Sequence, residues 1–166
     1  IVFGDWSSDV CSSDLELSKI NGIGFYAQGL WRQTLPRSLI QNLDTLPLPA
    51  YDLFEGIGEK YRPPAWAFNQ EKSALLITSR GCAGHCTFCD RSIFGNCCRA
   101  HGLGYLKKVV LILVKTYNIR YLRINDDNFL IFRKRLQDFC DWIIDEKIPI
   151  KWSIFTRVDS DRKSVV

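Results

Sequence analysis

The sequence predicts an α/β fold, with parallel strands joined by helical crossovers and an irregular linker ahead of them. Three observations predict it. From Ser73 onward, short apolar runs alternate with amphipathic helical patterns in the order β-α-β-α-β. Short connections in that order call for right-handed parallel crossovers. Before Ser73, Pro36, Pro47, Pro49, Pro63 and Pro64 interrupt any regular element, as expected of a linker lying on a surface. The chain has 166 residues, 46% hydrophobic and 24% charged, with 10 Phe, 6 Tyr and 5 Trp. That composition can bury a core and excludes disordered and collagen-like chains. No apolar run approaches the roughly 18 residues of a membrane span, and a net charge of +4 is too mild to argue for nucleic acid.

Residues 16–35 scatter Gly22, Gly24 and Gly29 among Ile23, Phe25 and Tyr26, which reads as a short hairpin or extended connector. Along the linker, Leu39, Leu43, Leu46, Tyr51, Leu53 and Phe54 are expected to pack down onto the domain. Ala74 to Thr78 is a continuous apolar run, expected to be a parallel strand buried on both faces. A Gly- and Cys-rich loop follows. Leu103, Leu106, Val110, Leu113, Val114 and Tyr117 then recur at helical spacing. Ile119 to Ile124 reads as the second strand and residues 125–128 as a turn. Phe132, Leu136, Phe139, Cys140 and Ile143 mark a second amphipathic helix, and Ile150 to Phe155 a third strand. Catalytic groups of such folds sit at the C-terminal ends of the strands, where the polar oddities of this sequence fall.

Both ends have a different character. Residues 5–15 read DWSSDVCSSDL and residues 161–166 read DRKSVV; each matches a common short-read sequencing adapter translated in one frame. Residues 1–15 and 161–166 are therefore expected to be adapter-derived, with no signal peptide to be read there. The insert, residues 16–160, keeps six of the seven Cys and a net charge of +6. The absence of Met is what an internal piece of a longer protein would show.

The loop after the first strand carries Cys82, Cys86 and Cys89 in a C-x3-C-x2-C spacing, with Gly81 and Gly84 between and before them. Three thiolates so close can hold one inorganic centre if the backbone wraps it, and the two glycines permit tight positive-φ turns. A closed structural Zn site needs four ligands, usually in two paired hooks. Three suit a four-iron cluster with one iron left open. A Zn site completed by His85, Cys97 or Cys98 is the competing reading. A helix's core face fits poorly beside the glycines, and clustered Cys without a secretion signal bind metal more often than they form disulfides.

With Phe88 before the last Cys, the motif resembles the signature of the radical S-adenosylmethionine (SAM) superfamily. Residues 36–54 (PRSLIQNLDTLPLPAYDLF), then TSRGC, INDDNF and TRVD, resemble its cobalamin-binding group, which includes anaerobic magnesium-protoporphyrin IX monomethyl ester cyclases. The resemblance implies that residues 16–72 are a linker from a cobalamin-binding domain and that residues 73–160 are the first half of a partial (β/α)6 barrel, three of six strands. It implies a [4Fe–4S] cluster on Cys82, Cys86 and Cys89, SAM on its unique iron, and cobalamin bound by an upstream domain. The implied chemistry is reductive cleavage of SAM to a 5′-deoxyadenosyl radical, or methyl transfer through cobalamin. Phe88 is then expected near the adenine. Asp126 and Asp127 stand where the superfamily often has a Gly-Gly-Glu motif and are expected to accept from the SAM ammonium, or to form an Asx turn or helix cap instead. Arg157 is expected to pair with the SAM carboxylate or to be a plain surface residue.

A small-molecule substrate, an electron donor such as flavodoxin or ferredoxin, and a cytoplasmic, anaerobic setting complete what the resemblance implies. The piece by itself is expected to be inactive, with its third strand left as an open edge. Cys140 reads as a small core residue; Cys97, Cys98 and His101 carry no expected role, and His85 reads as a spacer. Lys107-Lys108 and Arg133-Lys134-Arg135 read as solvated helix faces rather than a nucleic-acid surface. A radical SAM methylthiotransferase and a non-catalytic Zn-binding module are the alternatives.

Overall fold

The computed structural model describes residues 16–61 and 71–157. The adapter-like ends, Pro63, Pro64 and the last two residues of TRVD lie outside them. Cα packing divides the chain into two units, one up to Ile40 and one from Gln41 onward.

The first unit is built on a hairpin of β1 (Gly24–Ala27) and β2 (Leu30–Gln33), as the scattered glycines suggested. Gln28 and Gly29, which join the strands, both have positive φ (53° and 74°). That is the geometry of a two-residue type I′ turn, whose twist matches that of the strands it joins. Tyr26 and Trp31 are cross-strand partners whose rings meet edge to face at 5.2 Å. The Trp31 ring covers Gly24, where a Cβ would stand 2.3 Å from it; the close approach is what keeps a glycine there.

In the second unit, β3 (Ser73–Leu76), β6 (Tyr121–Ile124) and β7 (Lys151–Ile154) form a parallel sheet in the order β3-β6-β7. The crossovers are α1 (Leu103–Lys115) and α2 (Arg133–Asp145). One sheet face, with Ala74, Leu76, Leu122 and Ile124, packs on Leu106, Val109, Val110 and Leu113 of α1 and on Phe139 and Trp142 of α2. Phe129, Phe139 and Trp152 meet edge to face within that core, a favoured arrangement of aromatic quadrupoles.

The other sheet face corrects the expectation for the first strand. Leu75 is 50% exposed, as is Ile77, so the second face of β3 is covered only at Ser73. A continuous apolar run does not distinguish the two cases, because helices pack against only one side among the described residues. Leu75 instead borders an apolar pocket of about 610 Å³ shared with Tyr51, Phe54, Ile57 and Tyr61.

A further strand pair is not signalled by the sequence. β4 (Ser79–Arg80) pairs antiparallel with β5 (Arg99–Ala100) and so closes the neck of the cysteine loop, residues 81–98. Two residues per strand are too few to leave a period.

From residue 41 the linker is bolted to the domain rather than merely laid on it. Leu43 is buried, and the Asp44 carboxylate accepts from the Gly102 amide with both oxygens (2.9 and 3.1 Å) and lies 3.1 Å from His101 Nδ1. Gly102 is the cap residue of α1 and has no capping side chain of its own; an anion at this end also meets the positive pole of the helix. The His101 ring stacks on Tyr105 at 3.8 Å, and Tyr105 Oη donates to Pro47 O. Tyr51 packs at the edge of the core, whereas Leu39, Leu53 and Phe54 remain exposed, contrary to expectation. Replacing Asp44 by Ala removes a cap supplied from 58 residues away, and a loss of about 1–2 kcal/mol is expected. Denaturant unfolding should show it as a lower midpoint with an unchanged slope.

Candidate functional site

The cysteine loop depends on Gly81. Its φ is +81°, and a Cβ there would lie 2.2 Å from the carbonyl oxygen of Cys97. No L side chain fits, so the turn into Cys82 requires glycine on both counts. Gly84 is needed for space. A Cβ on it would stand 3.3 Å from Cys82 Sγ, 4.0 Å from Cys86 Sγ and 3.2 Å from Arg157 Nη1, so the bare Cα leaves two thiols and a guanidinium room to gather.

Cys82, Cys86 and Cys89 are free thiols lining one pocket of about 440 Å³, together with Phe88, Asp127 and Arg157. The sequence-expected residues thus come together, with Asp126 the exception. Among the described residues no three His, Cys, Asp or Glu side chains close on a single ion-sized point. A four-iron cluster takes each thiolate on a different iron, so sulfurs spread around one pocket are a donor set that could hold it. Two of the candidates for a fourth Zn ligand have partners of their own, while Cys97 is an exposed free thiol. His85 Nδ1 is 2.7 Å from Arg91 Nη1, and Cys98 donates from Sγ to Gly81 O at 3.1 Å. Burial, and then the neighbouring Cys82, push the Cys98 thiol up, consistent with its donor role.

Asp126 is buried, and its carboxylate is spent on the protein. It accepts from Thr78 N and Oγ1 and from Ser79 N, and pairs with Arg135 Nη2 at 3.5 Å. Arg135 Nη1 in turn donates to the carbonyls of Thr78 and His101, both at 3.1 Å. The guanidinium lies over the Phe129 and Phe132 rings at 4.9 and 5.1 Å, a cation–π arrangement. Burial lowers the Arg135 pKa from its ordinary value, against the pull of Asp126. The reading of residues 133–135 as a solvated basic face is therefore corrected: Arg135 is a buried partner at the root of the site. Lys107 also leaves solvent in part, with Nζ 5.4 Å from the Trp142 ring centre. Neither role leaves a mark in sequence, since a basic cluster on a helix looks the same whichever way one member turns.

Asp127 is exposed and lines the cysteine pocket. The capping role expected of Asp126 or Asp127 is taken instead by Asn128, whose Oδ1 accepts from Leu130 N and from Thr156 Oγ1. Phe88 is 91% exposed at the pocket wall. Arg91, which sequence reasoning passed over, ties the loop together by donating to Gly84 O, to His85 and to Asn96 Oδ1. Cys140 is half-buried on α2.

The fold is similar to that of part of a solved cobalamin-dependent radical SAM enzyme. The chain superposes with a TM-score of 0.67 on the enzyme OxsB, solved with aqua-cobalamin and S-adenosylmethionine bound, over 90% of this chain and 21% of that one at 24% identity. Among curated proteins it is 34% identical to an uncharacterized methyltransferase of Pyrococcus horikoshii, over 95% of this chain and 33% of the relative. It is 26% identical to the anaerobic magnesium-protoporphyrin IX monomethyl ester cyclase of Synechocystis, over 87% and 28%, and 27% identical to that of Rubrivivax gelatinosus, over 84% and 24%. The chain thus spans about a third or less of the relatives it matches. No protein-family profile matches it. These likenesses bear out the resemblance to radical SAM proteins of the cobalamin-dependent kind that the motifs carry. No helix among the described residues is long and apolar enough to cross a membrane.

Two substitutions test the construction of the site. Asp126→Ala leaves Arg135 buried without its partner and should cost about 3–5 kcal/mol in chemical denaturation. Gly81→Ala should leave the helices intact by far-UV circular dichroism but speed alkylation of the half-buried Cys82 thiol, because the turn into Cys82 cannot form.

Proposed function

We propose that this chain carries the cofactor-binding part of a radical SAM enzyme, with a [4Fe–4S] cluster on Cys82, Cys86 and Cys89 and SAM beside it. The observation that carries this reading is the single pocket that those three thiols share with Asp127, Arg157 and Phe88. A bound cluster would supply the electron that cleaves the SAM sulfonium to a 5′-deoxyadenosyl radical. The chain's own residues do the rest. Gly81 and Gly84 shape the loop that presents the thiolates. Asp127, exposed on the pocket wall, accepts from the ammonium group of the ligand, a charge-assisted bond. Asp126 contributes indirectly, by fixing Thr78 and Ser79 ahead of the loop. Phe88 offers an uncovered ring on which an adenine can stack.

We further propose that the sheet continues into a partial (β/α)6 barrel, that residues 16–72 are a linker from a cobalamin-binding domain, and that the intact protein receives electrons from a flavodoxin or ferredoxin. The enclosure of a barrel would keep water from a reactive intermediate. Methyl transfer through cobalamin is the outcome favoured over cyclisation, because the methyltransferase relative aligns at higher identity and over more of this chain than either cyclase.

Anaerobic reconstitution tests the reading. The full chain should take up about four iron and four sulfide and show a thiolate-to-iron absorption band. Cys82→Ala, Cys86→Ala or Cys89→Ala should each abolish it, and Cys97→Ala should not. One tightly held Zn per chain in place of iron would establish the Zn-binding module instead.

A further inference from the structure

Arg157 follows β7 and lies beside two of the loop's sulfurs. Its Nη1 lies 3.0 Å from Cys86 Sγ. The same nitrogen and Cys82 Sγ approach the Cα side of Gly84 from which a Cβ is missing, at 3.2 and 3.3 Å from where that Cβ would be. A guanidinium this close to one thiol, and on the same side of Gly84 as a second, meets them as a permanent cation, since arginine does not lose its proton in proteins. Toward a thiolate the contact becomes a charge-assisted hydrogen bond.

We propose that Arg157 is a positioning residue for the cluster: its guanidinium donates to the Cys86 thiolate, holds that ligand in place and raises the cluster's reduction potential. The inference rests on the cluster reading above. Reduction adds one electron to the cluster, with no bond made or broken and no proton moved, so it adds negative charge. A fixed cation and an N–H···S bond favour the more negative state, and hydrogen bonds to the sulfurs are among the factors that set such potentials. Gly84 is part of the device, because any side chain there would enter the space beside the guanidinium. The role differs from carboxylate pairing in a decisive way: it operates with no SAM bound.

The test is a potential measured without SAM. The full chain and Arg157→Gln are reconstituted anaerobically, assayed for iron and sulfide, and titrated with dithionite while the reduced cluster is followed by electron paramagnetic resonance. Arg157→Gln should hold as much iron and sulfide as the parent. Its reduced-to-oxidised ratio at a fixed potential should fall about tenfold, equivalent to about 59 mV for one electron. Arg157→Lys, which keeps the charge, should recover part of the shift. An unchanged SAM-free midpoint in a fully loaded Arg157→Gln protein would overturn the proposal, and weaker SAM binding alongside it would assign the residue to the carboxylate. Should Arg157→Gln fail to load, Arg157→Lys decides: a SAM-free midpoint below that of the parent supports the guanidinium–sulfur contact, and one within error of the parent overturns it. Failure of the unmutated chain to take up iron would overturn the cluster reading itself, a result distinct from any of these.

Discussion

The buried carboxylate of Asp126 is the interaction on which the rest of the second unit depends. It lies just beyond the end of β6, yet its hydrogen bonds go to Thr78 and Ser79, just beyond β3. Arg135, from α2, neutralises it and binds the carbonyls of Thr78 and His101. Two strand ends, one helix and the residue preceding the cap of α1 are thus joined at one buried ion pair. Such a pair adds little net stability compared with an apolar replacement, because both ions lose their hydration. Its value lies in direction. Every donor on the carboxylate is fixed, so the chain leaving β3 has one path into the cysteine loop.

That path explains why a loop of 18 residues can present three thiols in one place. The β4–β5 pair closes it at the neck, Cys97 O and Cys98 Sγ pack on Gly81, and Arg91 crosses its middle. Loop closure costs conformational entropy, and these contacts confine the loop before any ligand arrives. A ligand that binds a confined loop orders less chain on binding.

Much of this was legible in the sequence, and the reasons differ by element. The β-α-β-α-β order was readable because apolar spacing reports burial against neighbours, and both helices do bury one stripe. The gathering of the three Cys was readable because three thiols so close along one glycine-bearing loop stay near one another. The two-sided burial of β3 was misread because an apolar run reports the composition of a strand and not what covers it. Asp44, Arg91 and Arg135 were hidden for a common reason. Each acts through a partner distant in sequence or through a turn of the side chain, and a charged residue in a polar stretch gives no sign of either. The segments noted as family marks do meet in space. Thr78 and Ser79 of TSRGC bind Asp126 of INDDNF, and Thr156 of TRVD binds Asn128. The LDTLP segment holds the start of α1. Each had been legible only as a string.

The pocket's charge balance follows from the sheet's geometry. Leu76, Ile124 and Ile154 are in register across β3, β6 and β7, so the three strands end side by side. Each strand end delivers a different chemical group to the same place: thiols after β3, the carboxylate of Asp127 after β6, the guanidinium of Arg157 after β7. Parallel strands make this possible, because all three leave the sheet at one edge, and the crossover helices carry the chain back without passing through the site. Three thiolates alone would repel one another and would bind any soft cation. A cation from the third strand offsets that charge, and an anion from the second gives the pocket wall both signs. Gathering both signs of charge beside three thiols therefore needs no single clever loop. It needs three strands in register and one buried ion pair to keep the first of their loops on course.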